Sequence, residues 1–208
     1  MKKVEKNRNL NKELMATKTV PMTYYNSCGV IKDHMPKNTI LIGEGANPMD
    51  IGRTIFEHDL PRRKIDAGTF GTMGIGTPAL IAAKTTHPDL WAVSVMGDSA
   101  FGFSAMECET ITRYKLGSTI FIINNNGIYA GVDELGEDPT SIGVTSLNPA
   151  SKYEKIAKAF GGKGYDVKTV QELKYVCDLI FKDEQNKNKL FIVNVHIQSD
   201  SSKKPQEN

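Results

Sequence analysis

Trp91-Ala92-Val93-Ser94-Val95-Met96-Gly97-Asp98-Ser99-Ala100-Phe101-Gly102 is the stretch that decides the fold. Its first half is an apolar run without polar alternation. Such a run reads as a strand covered on both faces, as in a parallel sheet. Its second half turns abruptly to glycine, an acid and small residues. Three further runs share the pattern: residues 39–43, 119–123 and 190–197. Helical spacing lies between them, at residues 51–58, 75–84, 103–115, 151–160 (with Ser151 as a candidate cap) and 170–182. Strands alternating with helices predict a parallel sheet with right-handed crossovers. The expected architecture is therefore a three-layer α/β/α sandwich with a mostly parallel sheet.

The rest of the chain agrees with that class. Its 208 residues suit one domain, are 39% hydrophobic and carry a formal net charge of +2. That composition excludes wholesale disorder and gives no bulk electrostatic case for nucleic acid. Cys28, Cys108 and Cys177 are unpaired in spacing, which predicts free thiols and an intracellular setting, cytoplasmic or peroxisomal. No run reaches the roughly 18 apolar residues of a membrane span. The expected organisation is a flexible basic arm over residues 1–20, a folded domain over 21–198 and a disordered tail over 199–208. Residues 130–149, rich in Gly, Asp and Pro, read as a long loop of the kind that covers a site.

Ligands of parallel α/β sheets bind beyond the carboxyl ends of the strands. Three of the strands end there in Gly43-Glu44-Gly45-Ala46-Asn47, in Gly97-Asp98-Ser99-Ala100 and in Asn124-Asn125-Asn126-Gly127-Ile128-Tyr129. Asp98 and Asn125 are the informative pair. If their strands are neighbours, a carboxylate and an amide oxygen meet at one edge of the sheet. Those are hard oxygen ligands, suited to Mg2+ with phosphate oxygens in its shell. Nearby glycines let the backbone approach a phosphate, and a helix starting near Phe103 is expected to aim its amides there. The local reading is a Mg2+-bridged diphosphate. Gly97-Asp98-Ser99 alone would be no more than a βα turn; the Asn-rich strand end turns the reading to a site. There is no P-loop, and Gly71-Thr72-Met73-Gly74-Ile75-Gly76 has the wrong glycine order for a dinucleotide fingerprint, with no strand expected before it.

Gly97-Asp98-Ser99 followed by Asn125-Asn126-Gly127 resembles the diphosphate motif of thiamine-diphosphate enzymes. Glu44-Gly45-Ala46-Asn47-Pro48-Met49-Asp50-Ile51-Gly52-Arg53-Thr54, residues 66–74, residues 97–104 and residues 159–165 resemble the 2-hydroxyacyl-CoA lyases, with the oxalyl-CoA decarboxylases as close relatives. Pro21-Met22-Thr23-Tyr24-Tyr25 fits the start of that region, and the resemblance spans roughly residues 20–197. It implies Mg2+ held by Asp98, Asn125 and the Gly127 carbonyl. It implies a diphosphate held by Ala46, Asn47, Ser99, Ala100 and Ile128. It also implies the Gly71 carbonyl on the aminopyrimidine and Met73 beneath the cofactor, although without its flanking glycines Met73 reads as a core methionine. Tyr129 is a candidate for the substrate side or for structure. The implied chemistry is C1–C2 cleavage of a 2-hydroxyacyl-CoA to formyl-CoA and a shortened aldehyde.

In that family a glutamate from a separate pyrimidine-binding domain starts the reaction, and no residue here takes that role. Glu44 precedes the diphosphate region and is not that acid. Residues 199–208 match neither the family's closing segment nor a peroxisomal Ser-Lys-Leu ending. Three readings stay open. The chain completes a lyase with a pyrimidine domain in trans or as a homo-oligomer. It is a truncated copy that at most binds cofactor. Or it is a different Mg2+-diphosphate binder, such as a phosphoryl-transfer domain.

Overall fold

The computed structural model describes residues 2–129, 131, 143–199 and 204–205. The loop expected over 130–149 and the tail expected over 199–208 therefore lie largely outside the described residues. Six strands form one parallel sheet: β1 (Thr39–Glu44), β2 (Lys64–Asp66), β3 (Trp91–Gly97), β4 (Ser118–Asn124), β5 (Lys163–Val167) and β6 (Leu190–His196). Their order is β2-β1-β3-β4-β6-β5, and each pairing is parallel.

Alternate residues of the continuous apolar runs face opposite layers, which is why the runs show no polar face. Leu41, Val93, Phe121 and Val193 look to one side, where they meet α2 (Tyr24–His34), α3 (Ala46–Ile55) and α8 (Val170–Phe181). Ile42, Ala92, Ile120 and Ile192 look to the other, toward α4 (Gly76–Thr86), α5 (Asp98–Gly102), α6 (Glu107–Arg113) and α7 (Lys155–Ala159). Full burial of each large aliphatic or aromatic side chain stabilises by about 1.5–3 kcal/mol. Trp91 and Phe181 meet edge to face at 5.2 Å. The helices of the first layer start on capping boxes, Thr23 with Asn26 for α2 and Thr169 with Glu172 for α8.

Several expectations are corrected. The expected arm is a helix, α1 (Lys2–Ala16), laid on α2. Leu14 and Met15 pack against the core, Asn11 donates to the Thr54 carbonyl at 3.2 Å, and Gly29 of α2 leaves room for Met15. The helix expected over 103–115 starts at Asp98 and is split into α5 and α6 by a turn. The one expected from Ser151 starts at Lys155, with no side-chain cap. A three-residue edge strand, β2, does precede the glycine-rich segment, so only the glycine order there excludes a dinucleotide fold. All three cysteines are free and buried. Among the described residues, no helix is long and apolar enough to cross a membrane.

Candidate functional site

The chain passes from β1 outward to β2 and then crosses back over β1 to β3. The carboxyl ends of β1 and β3 therefore flank a switch point, where such sheets open a crevice. Gly45 closes β1 there with φ +94°, a backbone conformation that side chains rarely adopt. α3 then begins without any side-chain cap, so its first amides open on the crevice.

Asp98 follows β3 directly, opens α5 and is 2% exposed. Its Oδ1 accepts from the Ser99 amide at 2.8 Å, and the backbone amides of Gly127 and Asn126 lie near enough to favour the charged carboxylate. Its Oδ2 is buried and has no partner. Burial outweighs those donors and pushes the carboxyl up to about 6. β4 is the neighbour of β3, and Asn125 follows it, also buried. The Asn125 amide nitrogen donates to the Tyr129 carbonyl at 3.2 Å, which leaves its amide oxygen as the atom free for a cation. Asn47 donates to the same carbonyl at 2.9 Å, tying α3 to this turn. Asn126 and Tyr129 both adopt left-handed backbone, φ 60° and 59°. Residues 145–147 buttress the turn: Ile128 donates to the Thr145 carbonyl at 2.7 Å and Leu147 to the Asn126 carbonyl at 2.8 Å.

One cleft of about 120 Å3 gathers these groups. Ala46, Asn47, Ser99, Ala100 and Ile128 line it, with Met73, Asp98, Asn125 and Gly127. Of the residues singled out in the sequence, Gly71 alone stays outside that lining, two positions before Met73 and in left-handed backbone. Tyr129 lines the cleft while remaining 67% exposed. Among the described residues, no group of three or more His, Cys, Asp or Glu side chains forms a metal cage. The oxygens gathered here are one carboxylate, one amide and backbone carbonyls, a set suited to a hard cation that keeps phosphate in its shell.

Two residues of this region carried no role in the sequence reading. Tyr24, at the start of α2, lines the cleft fully buried and bonds to the Asn47 side chain; burial and the nearby Asp98 charge push its hydroxyl far up. The capping box of α2 was the available signal. Glu44, at the end of β1, is also fully buried. It accepts from the amide of Gly74 and from that of Gly76 at 2.6 Å. A Cβ on Gly76 would collide with a Glu44 oxygen, so the contact requires glycine there.

Elsewhere on the same edge, Asn194 donates to Asp166 at 3.1 Å and to Glu154 at 3.3 Å, and accepts from Asn124 at 3.0 Å. His196 and Lys152 complete Asp166 at 2.6 and 3.2 Å.

Residues 43–195 match the family described as thiamine pyrophosphate enzyme, C-terminal TPP binding domain. Over 99% of its length the chain is 40% identical to mouse (Mus musculus) 2-hydroxyacyl-CoA lyase 1 and 41% identical to the human (Homo sapiens) protein, covering 37% of each. Over 83% of its length it is 43% identical to oxalyl-CoA decarboxylase of Escherichia coli K12, covering 31% of that protein. The chain thus spans about a third of the length of the curated relatives it matches. Benzoylformate decarboxylase from Polynucleobacter necessarius superposes with a TM-score of 0.73 at 20% identity, over 90% of this chain and 35% of that one, a likeness of fold.

Proposed function

Because this chain belongs to the thiamine pyrophosphate enzyme family through its C-terminal TPP binding domain, we propose that it forms the diphosphate-holding wall of a carbon–carbon lyase site. The substrate class is a 2-hydroxyacyl-CoA, cleaved between C1 and C2 to formyl-CoA and an aldehyde one carbon shorter. The cofactor is thiamine diphosphate with Mg2+. The observation that carries the reading is the buried Asp98 oxygen with no partner, facing a cleft shared with Asn125. A buried carboxylate left half-bonded costs stability, and a divalent cation is the partner that fits it.

Asp98, the Asn125 amide oxygen and the Gly127 carbonyl hold the cation in this reading. Asn47, Ser99, Ala46, Ala100 and Ile128 hold the diphosphate, with the uncapped start of α3 as its counterpart. Met73 and Gly71 serve the ring end. When bound, thiamine diphosphate supplies an electron sink for the pair released as the carbon–carbon bond breaks. Tyr129, exposed at the cleft, serves the substrate side in this reading. The acid that works on the aminopyrimidine is supplied in this reading by a pyrimidine-binding domain.

Calorimetry with Mg2+ and thiamine diphosphate tests the reading. Binding that requires Mg2+ and disappears in Asp98→Ala is expected; binding unchanged in Asp98→Ala overturns the metal assignment. The 43% identity to an oxalyl-CoA decarboxylase supports a second reading, in which the released fragment is CO2. Turnover of oxalyl-CoA but not of 2-hydroxyacyl-CoA, with the pyrimidine domain present, would decide for it.

A further inference from the structure

The loop between β2 and α4 carries Gly71 and Met73, yet it is fastened at its ends only. At one end the Gly68 amide donates to Asp66 at 2.9 Å. At the other, Gly74 and Gly76 donate to the two oxygens of Glu44. Among the described residues, 69–73 make no hydrogen bond to another element. Met73 stands 39% exposed over the cleft, one residue before the Glu44 contact.

We infer that Glu44 is a positioning residue for the ring end of the cofactor: it holds the first turn of α4, and through it sets where Met73 and Gly71 stand relative to the diphosphate cleft. The inference deepens the cofactor reading above and rests on it. Glu44 closes β1, and the residue after it, Gly45, begins the diphosphate cleft. One short segment therefore ties both ends of a bent ligand to one rigid strand. Both carboxylate oxygens are needed, because two different amides approach them. Glutamine keeps the shape but offers one acceptor, and its NH2 meets an N–H donor.

The test compares two probes on the purified 208-residue chain, each with Mg2+: thiamine diphosphate and inorganic diphosphate. The parent chain is expected to prefer thiamine diphosphate by about tenfold or more, the effect of roughly one good contact at the ring. Glu44→Gln is expected to keep inorganic diphosphate within about twofold while that preference falls to about twofold or less. Asp98→Ala should lose both probes together. A Glu44→Gln chain that retains the full preference overturns the inference and leaves the cofactor reading standing. So does a chain that loses both probes equally, which would make Glu44 merely structural. Equal affinity of the parent chain for the two probes also overturns it, since there is then no ring contact to position. Absence of Mg2+-dependent binding to either probe overturns the cofactor reading, and the inference falls with it. Should Glu44→Gln not fold, Gly76→Ala carries the same comparison, because its Cβ displaces the carboxylate without removing it.

Discussion

Two groups of polar side chains stand toward the carboxyl edge of the same sheet, one partly exposed and one buried, and they differ in whether they are complete. At β5 and β6, Asn194, Asp166, Glu154, His196 and Lys152 bond to one another and, through Asn124, to the end of β4. At β1, β3 and β4, Asp98 keeps one oxygen without a partner. Glu44 lies beside it in space and belongs with the complete group, since backbone amides reach both of its oxygens. A position beyond the strand ends therefore does not by itself mark a site in this fold. Hydrogen-bond partners decide it: a satisfied cluster is architecture, and an unsatisfied buried carboxylate is where a ligand belongs.

The sharpest way to break that contrast is at Asp98. Losing an outer-shell partner of a metal typically costs 10–100-fold in affinity, so losing the proposed ligand itself in Asp98→Ala should cost at least about 100-fold for Mg2+–thiamine diphosphate. Calorimetry reads it. Asp98→Asn should bind as poorly and yet stabilise the metal-free chain. The carboxyl is raised from 3.8 to about 6 in the folded state, so the fold holds its proton more tightly than the unfolded chain does. The carboxylate is then a net cost above pH 6, a cost that fades as pH falls from 6 toward 3.8. By linkage the gain in Asp98→Asn is on the order of 2–3 kcal/mol at pH 8 and close to none below pH 4. Urea denaturation across that range measures it, and an unstable Asp98→Asn at pH 8 would mean that the carboxylate is already satisfied. Asn194→Ala is the converse. It leaves Glu154 and Asn124 short of partners and should cost about 2–3 kcal/mol of stability with affinity changed less than threefold. A large loss of affinity there would merge the two regions into one functional unit.

The same contrast explains what could be read from the sequence. β1, β3, β4 and β6 were legible because both faces are buried and the runs are continuous. The meeting of Asp98 and Asn125 at neighbouring strand ends was legible because strand ends and turn residues announce themselves. α2 was not, because α1, α3, α8 and the sheet bury it on nearly every side and erase the helical period. α1 buries little besides Asn11, Leu14 and Met15, too thin a stripe to separate from a solvated arm. β2 and β5 sit at the sheet's edges, where Lys64-Ile65-Asp66 and Lys163-Gly164-Tyr165-Asp166-Val167 lack an apolar run. The structural task of Glu44 was hidden because its partners are backbone amides 30 residues and more away, which no side-chain pattern records. The helix at Asp98 was placed too late because the expected stripe began at Phe103, while the helix itself begins on the site.

The smallest effect is expected at the other fastening of the Met73 loop. Asp66 accepts twice from Arg53, at 2.9 Å each, and once from Gly68. Arg53 is partly exposed, so solvent screens the pair, and Arg53→Ala should cost about 1 kcal/mol or less. Arg53→Lys should recover only part of it, since lysine cannot supply the fork. The Arg53 hydrogen bonds hold the Asp66 carboxyl below its usual range despite its burial. Its contribution is therefore present above pH 3.8 and is lost as pH falls through the lower folded value. Two aspartates on one sheet edge should then respond to acid in opposite senses: protonation relieves Asp98 and releases Asp66. Denaturation of Asp98→Asn and Arg53→Ala side by side from pH 8 to pH 3 reads both. If the Arg53→Ala deficit grows on acidification instead of shrinking, Asp66 is an unsatisfied carboxylate as well. The line between the complete and incomplete groups would then run between Glu44 and Asp66.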